Sequence, residues 1–158
     1  MPNAIPDYGT QLHELSHDFL YFTYAGSEDY PWIKEGSGMY FESGYFDSKG
    51  NFKIEKPFPM YHELFKKAKN ENRLISLNQL IMMSRNDFYQ SDYTLTYSES
   101  MIFFYYLMTK QTGTMKELFN KLNKRAITRN EQVIEFIIKS SGKNIDELES
   151  EYIKFGMN

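Results

Sequence analysis

Cysteine is absent from all 158 residues. That one absence excludes disulfides, thiolate metal sites and thiol nucleophiles together. It leaves the compartment open, since secreted proteins can lack cysteine too. Long apolar runs are also missing, and no stretch approaches the ~20 residues that cross a bilayer. Basic residues are not in excess: 18 Lys and Arg stand against 21 Asp and Glu, a net charge of -3 with no run of like charges. A nucleic-acid footprint would need a basic patch or stripe, so that class is set aside. The opening MPNAIPDYGTQ has neither a basic region nor an apolar one, unlike a signal peptide. An excised domain would begin the same way, so localisation is unassigned: extracytoplasmic for an excised domain, cytoplasmic otherwise.

What is present points to a globular, mainly α domain. Hydrophobic residues make up 41% and charged residues 25%, a balance that can bury a core rather than stay disordered. No repeat, low-complexity segment or linker divides residues 1–158, so a single domain is expected. The first helix is predicted over about residues 8–24, with Asp7 or Thr10 as its cap, and residues 25–29 as a loop. Pro31 suits the first turn of a second helix running through Trp32 to about Phe46. A turn-rich break follows over residues 46–51. Pro57 and Pro59 lead into a third helix over about residues 60–70. A short fourth is predicted over residues 76–83, and a long apolar one over about residues 91–109, followed by a loop that Gly113 ends. Three amphipathic helices close the chain. Their stripes are Met115, Leu118, Phe119 and Leu122; Val133, Ile134, Ile137 and Ile138; then Ile145, Leu148, Tyr152 and Phe155. Residues 51–55 are the one weak strand candidate.

The chain has only three histidines, and two of them form His13-Glu14-Leu15-Ser16-His17. Histidines four apart lie on one helix face, one turn from each other, and can meet a single ion. Glu14 between them projects beside that ion and can take a proton from an activated water. The plainer explanation is a pair of surface or core histidines with an unrelated glutamate between them. The next segment weighs against it. Trp32-Ile33-Lys34-Glu35-Gly36-Ser37-Gly38-Met39-Tyr40-Phe41-Glu42 puts a carboxylate on a second helix, and a catalytic zinc site wants three protein ligands and an open position. Glu35 is the expected third ligand. Gly36 and Gly38 each cost about 1 kcal/mol inside a helix, which suggests close approach by another helix or by substrate. The alternative is that the second helix starts later or that the glycines form a turn. Glu42 lies two turns after Glu35 and is a candidate for supporting a ligand or pairing helices; Asp18 is equally open between orienting a histidine and facing water. His62 is expected at the surface, with substrate contact as the lesser option. Phe103, Phe104, Tyr105 and Tyr106 are expected to pack the core.

Taken together, the HExxH segment and Trp32-x-x-Glu35-Gly36-x-x-x-Tyr40-Phe41-Glu42 resemble the gluzincin metallopeptidases, in particular peptidase MA-like domains and the catalytic domain of the aminopeptidase N-like family. The resemblance implies one Zn2+ per chain on His13, His17 and Glu35, with Glu14 as general base. It also implies a tyrosine on a later helix that steadies the developing oxyanion. Tyr97, in Tyr97-Ser98-Glu99-Ser100, matches that position, with Tyr93 one turn earlier as its rival. The implied activity is hydrolysis of a peptide or protein substrate. Two departures stand out: Gly38 where alanine is usual, and Lys34 where asparagine is common. The chain also begins a turn or two before His13, whereas gluzincins carry a small upstream sheet whose edge pairs with substrate. The implied fold is therefore the helical part of a gluzincin domain lacking that sheet, with other domains of a longer chain as companions. The competing readings are a catalytically degenerate zinc-binding domain and a plain helical interaction module.

Overall fold

The helical periodicity of the sequence is realised almost throughout. The computed structural model describes residues 8–23, 29–54 and 59–158. Among them run α1 (Tyr8–Thr23), α2 (Pro31–Glu42), β1 (Tyr45–Phe46), β2 (Phe52–Lys53), α3 (Pro59–Asn70), α4 (Leu77–Met82), α5 (Arg85–Gln90), α6 (Tyr93–Lys110), α7 (Thr112–Asn123), α8 (Asn130–Ser141) and α9 (Ile145–Met157). The domain is mainly α, as expected. No described helix is long and apolar enough to cross a membrane.

Local chemistry sets most helix starts. Ser76, Ser84 and Asp92 each accept a backbone N–H from the first turn they precede. Asn144 and Glu147 form a reciprocal capping box ahead of α9. Pro31 and Pro59 open α2 and α3, where a missing N–H costs nothing.

The core is organised around α6. Met101, Ile102, Phe103, Phe104, Tyr106 and Leu107 are all buried, so the second half of this helix is apolar nearly all round, while Thr96, Ser98, Glu99 and Ser100 are buried in its first half. Helices α2, α3, α7 and α9 pack on it, and α1 packs on the far side of α2. Two glycines set the closeness of that α1–α2–α6 stack. A Cβ at Gly36 would lie 2.6 Å from the Ser100 carbonyl oxygen of α6. A Cβ at Gly38 would lie 2.7 Å from the His13 ring of α1. The two positions face opposite neighbours, and both helices come closer than a methyl group allows.

Several boundaries differ from expectation. Helix α2 stops at Glu42 rather than near residue 46, and Tyr45 and Phe46 instead pair with Lys53 and Phe52 in an antiparallel hairpin. The Asp47 carboxylate accepts the Lys49 and Asn51 N–H groups across its turn, and Gly50 takes φ +79°. Short helix α5 lies between the predicted fourth and fifth helices. Gly113 lies in the first turn of α7 instead of ending a loop. Thr10 sits inside α1 and is not its cap; Asp7, Pro57 and residues 24–28 lie outside the described residues.

Candidate metal centre

Helical spacing puts His13 and His17 on one face of α1, their ring centroids 4.5 Å apart. That face meets α2, where Gly38 leaves room for the His13 ring. From α2, Glu35 projects between the two imidazoles. Its Oε2 lies 3.6 Å from His13 Nε2 and 3.8 Å from His17 Nε2. Ligands held at 2.0–2.2 Å around tetrahedral zinc are separated by about 3.3–3.5 Å. The two His–Glu separations lie a few tenths of an ångström wide of that.

Each group of this trio has a distinct second partner or the lack of one. His13 Nδ1 lies 3.2 Å from Glu42 Oε2. That carboxylate holds the proton on Nδ1 and turns Nε2 toward Glu35, the usual support for a metal-bound histidine. The Tyr89 hydroxyl donates to Glu35 Oε1, so the two carboxylate oxygens have different neighbours. His17 Nε2 is buried and has no hydrogen-bond partner. A buried polar atom left unpaired is costly and rare. Coordination of a cation would satisfy it, and the donor set of two imidazoles and one carboxylate fits zinc.

A second trio is possible on α1 alone. His13, Glu14 and His17 offer ligand atoms within 4.8 Å of one another. Glu14, however, stands 3.8 Å from His17 Nδ1 and its side chain is 70% exposed. Glu35, by contrast, is buried and its Oε2 faces both Nε2 atoms.

Electrostatics separates the two histidines. Burial opposes the charged form of His13, but the carboxylates of Glu35 and Glu42 outweigh it and raise its pKa to about 9. His17 is shifted down, by burial first and by the neighbouring His13 charge, against the pull of Glu35. Burial pushes the Glu35 carboxyl upward, yet His13 and Tyr89 together hold it below the usual range. The centre thus keeps an ionised carboxylate and one neutral imidazole, both competent as ligands.

The structure brings Tyr97 into this group and leaves Tyr93 outside it. Tyr97, half-buried on α6, is shifted far above the ordinary phenol range by burial and by the Glu35 carboxylate beside it, with a smaller contribution from Glu14. Its ring packs on Phe88, 5.8 Å between centroids. Tyr93 is 68% exposed. Tyr61 of α3 is half-buried and its ionisation is likewise opposed by burial and by Glu42 and Glu35. Asp18 is exposed, and His62 is half-buried on α3. Phe103, Phe104 and Tyr106 are core residues, as expected, with Tyr105 half-buried against Phe155. Sequence reasoning missed Tyr89: it sits on the unforeseen α5, 54 residues from the carboxylate it meets, and no motif marks it.

A family model described as "Protein of unknown function (DUF1570)" matches residues 7–129, most of the chain, and the chain belongs to that family. No curated protein and no solved structure matches it significantly.

Proposed function

We propose that this member of the DUF1570 family is a zinc-dependent peptide-bond hydrolase of gluzincin type, with His13, His17 and Glu35 holding the ion. The observation that carries the reading is the convergence of both Nε2 atoms on one buried Glu35 oxygen from a second helix. The HExxH and Glu-Gly patterns supply the same residues independently. When bound, zinc supplies Lewis acidity toward a carbonyl and makes water acidic near neutral pH. Glu14, solvated beside His17, accepts the proton that the attacking water loses and passes it to the leaving amine. The Tyr97 hydroxyl keeps its proton across the working pH range and donates a hydrogen bond to the oxygen that gains charge. Glu42 holds the His13 ring in the orientation that presents Nε2.

The test is zinc content by elemental analysis on the purified protein, with His13→Ala beside it. About one zinc per chain, lost in the variant, is expected. A peptide-library digest then follows, with Glu14→Gln as the inactive reference. No zinc after add-back rules the reading out.

One observation favours a different reading. His13 lies against two carboxylates, Glu35 and Glu42, and is fully satisfied as an imidazolium without any ion. In that case the trio is an interhelical ion pair that fastens α1 to α2 in a helical interaction module or a degenerate enzyme. That reading expects no zinc, and a loss of about 3–5 kcal/mol in His13→Ala, as when one partner of a buried pair is removed.

A further inference from the structure

Outside the trio itself, Tyr89 reaches the Glu35 carboxylate directly. Its hydroxyl donates to Glu35 Oε1, while Oε2 of the same carboxylate faces His13 and His17. The two oxygens are therefore divided between two tasks. We propose that Tyr89 is a positioning residue that commits Glu35 to the metal through one oxygen only, and so preserves an open coordination position for substrate. The inference rests on the zinc reading above.

The packing around Tyr89 suits that role. Its neighbour Phe88 is fully buried and ties α5 to the core, with the Tyr97 ring packed against it at a tilt. The Phe88 and Tyr89 rings meet edge to face at 5.5 Å. Ser84 caps the helix through the Asp87 N–H. Helix α5 is short, but these contacts fix its place against α6, and the phenol is held where Oε1 is. A carboxylate with both oxygens available can close on a metal with both, which fills a position that a catalytic site must keep open. A carboxylate with one oxygen already accepting a hydrogen bond is restrained from doing so. Groups that orient a ligand in this way commonly change metal affinity 10- to 100-fold when removed.

The experiment uses cobalt(II) as a spectroscopic substitute on the full chain, with zinc affinity measured by competition against a chromophoric chelator. The variants are Tyr89→Phe and, as a reference, Tyr8→Phe, whose ring is exposed at the start of α1. The parent protein is expected to give the intense visible bands of four-coordinate cobalt. Tyr89→Phe is expected to give weaker, shifted bands as coordination number rises, with zinc bound about 10-fold less tightly. Tyr8→Phe should match the parent. Thermal unfolding of the metal-free proteins should show the same midpoint for all three, because the Phe88 anchor is retained; a metal-free Tyr89→Phe midpoint well below the others would assign Tyr89 to the fold instead. A parent that binds one metal, with a Tyr89→Phe spectrum and affinity indistinguishable from it, overturns this inference and leaves the zinc reading standing. A parent that binds no metal overturns both.

Discussion

Replacing Gly38 by alanine sets a methyl group against the imidazole of His13. Its Cβ would stand 2.7 Å from Cε1 and Nε2 and 2.9 Å from Nδ1, whereas ordinary contact begins at 3.4 Å. Something must move by about 0.7 Å, the difference between those two distances. The ring cannot retreat without cost, because Glu42 holds its Nδ1 at 3.2 Å and Nε2 faces Glu35 at 3.6 Å. A ligand displaced on that scale is expected to weaken zinc binding about 10- to 100-fold, or roughly 1.4–2.7 kcal/mol. Stability should behave differently. Alanine gains up to about 1 kcal/mol over glycine in a helix interior, which offsets the overpacking of about 1–3 kcal/mol. The metal-free melting midpoint should therefore move little while affinity falls. Zinc competition titration measures the affinity and calorimetry measures the midpoint. Gly113→Ala is the reference, since nothing lies within 4 Å of its Cβ position. If Gly38→Ala binds zinc as tightly as the parent, His13 in this position is not a ligand and the proposed metal centre is refuted.

Glu14→Gln should retain about one zinc per chain and lose peptide turnover; hydrolysis at the parent rate would remove Glu14 as the base. Tyr97→Phe should lower kcat by a factor on the order of 10² with zinc content unchanged, as loss of an oxyanion donor does. Tyr93→Phe, at an exposed ring, should be near neutral, and the reverse order would move the role one turn along α6. The fully buried Glu99 gives a prediction about pH. Burial, helped by Glu149, raises its carboxyl from 4.5 to about 8 against hydrogen bonds from Ile75 N–H and the Tyr152 hydroxyl. The folded protein therefore holds a proton that the unfolded chain releases near 4.5. Its contribution is fully present below that pH and is lost as pH rises toward 8, a change on the order of 3–5 kcal/mol. Urea midpoints at pH 5 and pH 8 should fall markedly for the parent and much less for Glu99→Gln, which keeps an acceptor for Ile75. Equal slopes would show that Glu99 is not the group responsible.

The histidine pair on α1 is legible because its geometry is local. Four residues of helix bring His13 and His17 to one face whatever surrounds them, and the same logic placed Glu14 beside them. The apolar run of α6 and the stripes of α7, α8 and α9 were legible for a similar reason: burial periodicity is written along the chain. Glu35 and Glu42 were anticipated by pattern and spacing, but their contacts with the histidines depend on how α1 and α2 cross. The glycines hinted at that crossing without saying which neighbour each faced. Gly36 meets Ser100 and Gly38 meets His13, and those partners lie on different helices. The early end of α2 had no local cause that could be read, since Tyr45 and Phe46 leave the helix to pair with strand residues beyond the turn, and Gly44 is filled by the Phe52 ring. Tyr89 is the clearest case of a residue that no pattern reveals. An exposed tyrosine on a six-residue helix has no signature, and it meets Glu35 only because Phe88 anchors α5 where the phenol reaches that carboxylate. Short-range order follows from backbone geometry and side-chain periodicity, whereas contacts between residues 54 positions apart follow from packing, which the whole chain settles at once.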